Sequence, residues 1–202
     1  MPRRFRAIGG LAYHVLNRGV RRSTLFDGPR DYCAFLNVLA ESYDRTPIRI
    51  LALTLMPNHW HMALWPREDG ELTRFVGWAS HTHACRWQRV KQTRGTGPVY
   101  QGRFQSIPVQ DDHHLLTVLR YVERNAVRAH LVERAQNWPF SSISEQWDPD
   151  WPPIHAWPLP RPANWLDHVN EEEPPLELDK LRAAIKRSTP YGSTEWREKL
   201  PR

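Results

Sequence analysis

The chain has 202 residues, 28 Lys and Arg against 22 Asp and Glu, and a formal charge of +6. Its 40% apolar and 25% charged content are values of a folded chain and exclude wholesale disorder. No run approaches the roughly 20 apolar residues of a membrane-spanning helix, and no secretory signal fits the arginine-bearing N-terminus. The two cysteines, Cys33 and Cys85, cannot make a disulfide framework. They read as small core residues in a reduced, cytoplasmic protein.

The elements, in chain order, begin with a strand over Leu11–Arg18 and a turn at Gly19. Arg30–Asp44 follows as an amphipathic helix, with Tyr32, Phe35, Leu36, Leu39 and Tyr43 at helical spacing and Pro29 at its start. Ile48–Met56 is a compact apolar run without helix caps, hence a buried strand. Pro57-Asn58 is a turn pair, and His59–Trp65 is the returning strand of an antiparallel hairpin. Leu72–Lys91 reads as a long helix closed by the loop at residues 95–98, and Arg103–Val109 as a strand. Asp111-Asp112 then opens a helix running to about Ala129, since acids favour helix N-termini. This order predicts an α+β fold: a ferredoxin-like antiparallel sheet with helices on one face.

After about residue 136 the composition changes. Residues 137–175 hold five of the ten tryptophans and nine of the 18 prolines. Proline blocks regular ladders, and so many tryptophans argue for a strap packed on the domain rather than a free segment. The expected division is a main domain over 1–135 and a C-terminal extension over 136–202. The extension comprises an irregular Trp/Pro-rich strap (136–178) and a tail (179–202), with a short helix over Leu176–Lys186. Charge divides the same way: +9 over 1–135, −7 over 136–178 and +4 over 179–202. A basic main domain points to a polyanion, with nucleic acid the first candidate; a merely basic enzyme fits the charge equally. The sign of the strap suggests that it packs back on basic surface or screens part of it.

Two local patterns carry chemistry. His59 and His61 are two apart on a strand, so their imidazoles share a face. Imidazole suits divalent ions such as Mn²⁺ or Zn²⁺; two half-buried histidines satisfied by carbonyls or water are the competing reading. His81 and His83, two apart on a helix, cannot chelate together, and His113-His114 reads as an exposed pair at a helix start. On the last helix of the main domain, Tyr121 and Asn125 are four apart and occupy one stripe. Arg120, Arg124 and Arg128 form a basic ridge beside it, a surface suited to phosphates or simply a solvated face.

Taken together, Tyr13-His14-Val15-Leu16-Asn17-Arg18-Gly19, Leu55 to His61, Gln101 to Ser106, Leu119 to Val132 and Pro139-Phe140-Ser141-Ser142 carry a resemblance. A weaker block is Pro190 to Trp196. The chain resembles the single-tyrosine HUH transposases of the IS200-like superfamily, specifically the REP-associated tyrosine transposases of bacteria. The resemblance covers about residues 8–145.

It implies that His59 and His61 are metal ligands flanking the hydrophobic Trp60, that Tyr121 is the nucleophile, and that Asn125 is the third ligand. It implies a divalent cofactor, Mg²⁺ or Mn²⁺, and a single-stranded, hairpin-forming DNA substrate. The reaction implied is nicking and strand transfer through a 5′-phosphotyrosine, by a monomer, with a dimer as the alternative, associated with the nucleoid. Candidate DNA contacts are Arg18, Arg21, Arg22, Arg103, Arg120, Arg124 and Arg128, with further basic residues at Arg3 to Arg6 and Arg86 to Arg94. Trp60, Trp65 and Phe104 can stack bases or belong to the core. The chain departs from the family pattern at Ala126, where proline is usual, at His130, where glycine is usual, and in Arg187-Ser188-Thr189 before Pro190. A DNA-binding protein with an inactive site is the alternative reading; an RNA-binding module and a zinc hydrolase fit the residues less well.

Overall fold

The computed structural model describes residues 7–201; Arg3, Arg4 and Arg6 lie outside them. The main elements are β1 (Ala12–Arg18), α1 (Pro29–Arg45), β2 (Arg49–Met56), β3 (His59–Trp65), α2 (Glu71–Val90) and β4 (Gln105–Val109). They are followed by α3 (His113–Glu123), α4 (Asn125–Arg128), α5 (Trp165–Asn170), α6 (Pro175–Arg187) and α7 (Thr194–Lys199). The strands form one antiparallel sheet in the order β2-β3-β1-β4. This is the ferredoxin-like α+β arrangement that the element order predicts.

Strand alternation divides the sheet into two apolar faces. Tyr13, Val15, Leu53, Leu55, Trp60 and Met62 join α1 and α2 in one core. Ala12, Leu16, Leu51, Ala63, Ile107 and Val109 join α3, α5 and α6 in a second. The helices α1 and α2 thus share a face as expected, but α3 and the extension cover the other. The cause is legible in β2, which is buried from Ile50 to Met56: a strand buried on both sides reads as a continuous apolar run.

The expected helix from Asp111 to Ala129 is interrupted. Asp112 caps α3, its carboxylate accepting from the His114 N–H at 2.8 Å. Arg124 then separates α3 from α4. Ala126 falls in the first turn of α4, where proline is tolerated. His130 follows the end of α4 with φ +55°, a left-handed conformation that favours glycine. Both departures from the family pattern therefore sit where the backbone accounts for the usual residue.

The extension ties down both edges of the sheet. Along β2, the Leu55 N–H donates to Phe140 O at 2.9 Å, and the Ser142 N–H to Leu53 O at 2.8 Å. The Thr54 and Ser141 hydroxyls meet at 2.8 Å. Along β4, the Tyr191 N–H donates to Pro108 O at 2.8 Å, and the Gln110 N–H to Tyr191 O at 3.0 Å. Open strand edges invite pairing with other chains, and a proline-rich segment covers one without extending the ladder. The indoles of Trp138 and Trp157 pin the strap to the Leu55 and Leu51 carbonyls at 2.8 and 2.9 Å. In the tail, a Cβ on Gly192 would stand 2.4 Å from the Trp196 ring, so glycine is required by close approach.

Among the described residues no helix is long and apolar enough to cross a membrane. Cys33 is half-buried against the core, but Cys85 is exposed rather than a core residue. The buried stripe of α2 runs through Leu72, Phe75, Val76, Ala79 and His83, and position 85 faces away from it.

Candidate active site

His59 and His61 leave β3 on the face covered by α3, their ring centroids 5.0 Å apart at 87°. β1 brings His14 to the same face. Its Nε2 lies 2.9 Å from His61 Nδ1, and the two rings stack at 5.1 Å. Asn58 Oδ1 lies 2.6 Å from His59 Nδ1. Nδ1 of each β3 ring is therefore held by a neighbour, which leaves Nε2, on the Asn125 side of His59, as the nitrogen each ring could offer to an ion. Metal-binding histidines are oriented through their second nitrogen in this way.

The other half of the site comes from α3 and α4. Asn125 is buried and hydrogen-bonds to the His59 ring, while its Nδ2 has no partner. Tyr121, one turn earlier, meets both His14 and His61 edge-on, with centroids 5.6 Å away in each case. The interruption at Arg124 does not part the two residues.

Burial and then Arg128 push His14 down to about 3. Burial, Arg18 and Arg128 push His59 down to about 4, opposed by the hydrogen bond to Asn125. Burial first, then His59, His14, Arg128 and Arg18, hold His61 well below the ordinary histidine range. All three rings are neutral at neutral pH, the form in which imidazole ligates a metal. Two oriented imidazoles and the carbonyl oxygen of the Asn125 amide make a donor set that fits a divalent ion. A second cluster, Asp112, His113 and His114, has donor atoms within 4.8 Å of one another. There Asp112 Oδ1 is already engaged by the His114 N–H at 2.8 Å and its Nδ1 at 2.7 Å.

The arginines divide into two groups. Arg18 pairs with His59 across β1 and β3. Arg21 and Arg22 are exposed, in left-handed backbone at φ +51° and +62°. Arg103 is also exposed, on the segment that docks beside β1 through the Gln101 N–H and Arg18 O at 2.9 Å. Arg18 adjoins His59 in the sheet, and the Arg22 carbonyl accepts from Asn58 Nδ2 at 3.2 Å, next to His59, whereas Arg103 lines a groove on the α2 side with Asn17, Gly77 and Ser80. By contrast, Arg120 and Arg124 do not present a ridge to solvent. Arg120 is 5% exposed, and its guanidinium donates to the Glu171 and Glu172 carbonyls. Arg124 donates to the Val169 and Asn170 carbonyls. The acidic strap has taken both, which corrects their assignment as DNA contacts. Arg128 is shared between the strap and the site, as described below. Arg86 and Lys91 in the second basic stretch are likewise paired, with Glu41 and with Asp27 and Asp31. Trp60 is fully buried, its indole N–H donating to the Tyr100 hydroxyl, so it is core and no base platform.

Residues 7–125 match the family described as Transposase IS200 like, a stretch that contains His59, His61, Tyr121 and Asn125. The chain belongs to the IS200-like transposase family. It is an enzyme of the transposase type, and it acts on DNA. A relative from Haemophilus influenzae, provisionally named a REP-associated tyrosine transposase, is 24% identical over 161 residues, covering 71% of this chain and 88% of its own. The REP-associated tyrosine transposase of Escherichia coli is 24% identical over 145 residues, covering 70% and 81%. Among solved structures, a REP-associated tyrosine transposase bound to a REP hairpin shares the fold at a TM-score of 0.54 and 20% identity, covering 71% of this transposase and 82% of that chain.

Sequence reasoning gave no role to His14 or Asn58 in this transposase. Asn58 adjoins His59 and could have been found as its neighbour. His14 could not, because its place beside His61 depends on the β1–β3 register.

Proposed function

We propose that this transposase nicks and rejoins single-stranded DNA beside palindromic hairpins, with Tyr121 as the nucleophile. The observation that carries the reading is the convergence of Tyr121 and Asn125 from one helical segment with His59 and His61 from one strand. The Tyr121 oxygen attacks phosphorus and the bond to the 3′-oxygen breaks. The 3′-oxygen leaves as a hydroxyl after gaining a proton, and the 5′ end stays covalently on Tyr121. The phosphodiester energy is kept in that link, so the reverse attack joins strands.

His59 Nε2, His61 Nε2 and Asn125 would hold a divalent ion, Mg²⁺ or Mn²⁺, which when bound supplies Lewis-acid polarisation of the phosphate. His14 and Asn58 keep the two rings aimed. Arg18, Arg21, Arg22 and Arg103 bind the phosphates of the incoming strand. Left-handed backbone at two successive arginines is a costly arrangement of the kind that persists at functional sites. The relative solved with a REP hairpin supports hairpin DNA as the substrate class. Residues 1–135 hold the reacting groups and 136–202 act as an extension, in a protein that works as a monomer at the nucleoid.

The deciding experiment incubates the protein with single-stranded hairpin oligonucleotides and Mn²⁺ and maps any DNA–protein link by mass spectrometry. The expected result is an adduct on Tyr121 that disappears with Tyr121→Phe and with EDTA. Cleavage by Tyr121→Phe, with no other tyrosine linked to DNA, would remove the nucleophile assignment.

A further inference from the structure

The strap does more than cover apolar surface. Its residues 169–173 lie along the arginine row of α3 and α4. Two of those arginines hydrogen-bond to backbone carbonyls. Arg120 Nη2 donates to the carbonyls of Glu171 at 2.9 Å and Glu172 at 3.2 Å. Arg124 Nη1 donates to the carbonyls of Val169 at 2.9 Å and Asn170 at 2.7 Å. These last belong to the C-terminal turn of α5, whose carbonyls have no partner within the helix.

Arg128 is different, because its partner is a side chain. Its Nη1 lies 2.8 Å from the Glu173 carboxylate, which also stands 3.7 Å from Arg124 Nε. The Glu173 side chain is only 9% exposed. On the other side, the Arg128 guanidinium carbon sits 3.9 Å from the centre of the Tyr121 ring, and Nη2 donates to the Tyr121 carbonyl at 3.3 Å. An arginine side chain has many rotamers and loses them only when anchored. Here the Glu173 carboxylate and the Tyr121 carbonyl give it two fixed points, with the nucleophile's ring between them and the histidines.

We propose that Glu173 is a positioning residue for the nucleophile: by holding Arg128 against the Tyr121 ring, the acidic strap completes the active site. A cation at a ring face restrains the ring. The proposal rests on Tyr121 being the nucleophile. It reassigns Arg128 from a phosphate contact to a group that acts through Tyr121, and gives part of the site to a segment 45 residues further along the chain.

The test measures the single-turnover rate of Tyr121 adduct formation on a hairpin oligonucleotide with Mn²⁺, beside the hairpin dissociation constant. Glu173→Ala and the nearly isosteric Glu173→Gln should slow the adduct step on the order of 10-fold with hairpin affinity unchanged. Glu172→Gln, whose contact is a carbonyl, should react like the wild type. The double variant Glu173→Ala/Arg128→Ala should be no slower than Arg128→Ala alone, since both act through one contact. Added guanidinium should restore part of the Arg128→Ala rate, and less of it when Glu173 is also removed. Wild-type rates in both Glu173 variants, additive losses in the double variant, or a loss confined to hairpin affinity would each overturn the proposal. A wild-type protein that forms no adduct on Tyr121 would instead overturn the reading of the site itself.

Discussion

Nε2 of His14 lies 2.9 Å from Nδ1 of His61, and both rings are buried. For His61 to offer Nε2 to an ion, its Nδ1 must carry the proton and donate it to His14. His14 Nδ1 has no partner, so the pair is held by this one bond and by the stacking of the rings. Removing the acceptor leaves a buried N–H on His61 unsatisfied and its tautomer free. We expect His14→Leu to weaken Mn²⁺ binding by about 10–100-fold, the usual cost of losing such an outer partner. Calorimetric titration with Mn²⁺ checks this without any reliance on DNA cleavage. Unchanged affinity in a folded variant would show that His61 needs no such partner.

The backbone at His130 offers a prediction of stability. Its φ of +55° places a side-chain-bearing residue in the left-handed region, just after α4. That conformation costs an L-residue roughly 1–2 kcal/mol, part of which glycine returns as greater freedom in the unfolded chain. His130→Gly should therefore stabilise the fold by about 0.5–1 kcal/mol. For a chain of this size that raises the melting temperature by a few degrees, roughly 2–4 °C per kcal/mol. A lower melting temperature would mean that the imidazole makes a contact worth more than the strain.

Much of the architecture was written in local patterns. The alternation His59-Trp60-His61 put two imidazoles on one face and Trp60 in the core. The four-residue spacing kept Tyr121 and Asn125 together even across the break at Arg124. The opposite signs of the main domain and the strap suggested that the strap would pack back on basic surface or screen part of it, as the contacts of Arg120, Arg124 and Arg128 show. What local patterns could not carry was register and partner choice. His14 reaches His61 only through the pairing of β1 with β3. The arginine spacing identified a stripe but not what covers it, so Arg120 and Arg124 read as DNA contacts when their donors are bound to α5 and the residues after it. The second helical layer was missed for a related reason. A continuous apolar run in β2 says that both faces are buried, but not which segment buries the second.

The two groups of arginines should respond differently to substitution. Arg103 is exposed on the segment that docks beside β1, so Arg103→Ala should weaken hairpin binding and reduce the salt dependence of affinity by about one charge. The fold should be barely affected. Arg120 is 5% exposed and donates to two carbonyls. Arg120→Ala should instead destabilise the protein by about 2–3 kcal/mol, through carbonyls left without a donor. Binding isotherms over a salt series, beside urea denaturation, separate the two outcomes. A normal fold with an altered salt slope in Arg120→Ala would return that residue to the DNA-binding surface.

His83 supplies the pH dependence. It is buried on α2 against Phe26 and Phe35, with the Tyr100 hydroxyl 2.7 Å from its Nδ1. Burial pushes it down to about 4, with Asp31 opposing weakly from a distance. Its folded value lies below the unfolded value of about 6.5, so on acidification the unfolded chain takes up the proton first. The neutral ring's contribution is fully present above about pH 6.5 and is lost as pH falls towards 4. The shift corresponds to an effect on the order of 3 kcal/mol over that window. His83→Gln keeps an acceptor for the Tyr100 hydroxyl and removes the titration. Its stability, followed by urea denaturation between pH 7 and about 4.5, should decline less steeply than that of the wild type. The comparison must be made as a difference between the two proteins, because His14, His59 and His61 are depressed in the same direction and add the same slope to both. Parallel curves would place the His83 proton equilibrium at its ordinary value and remove the burial argument.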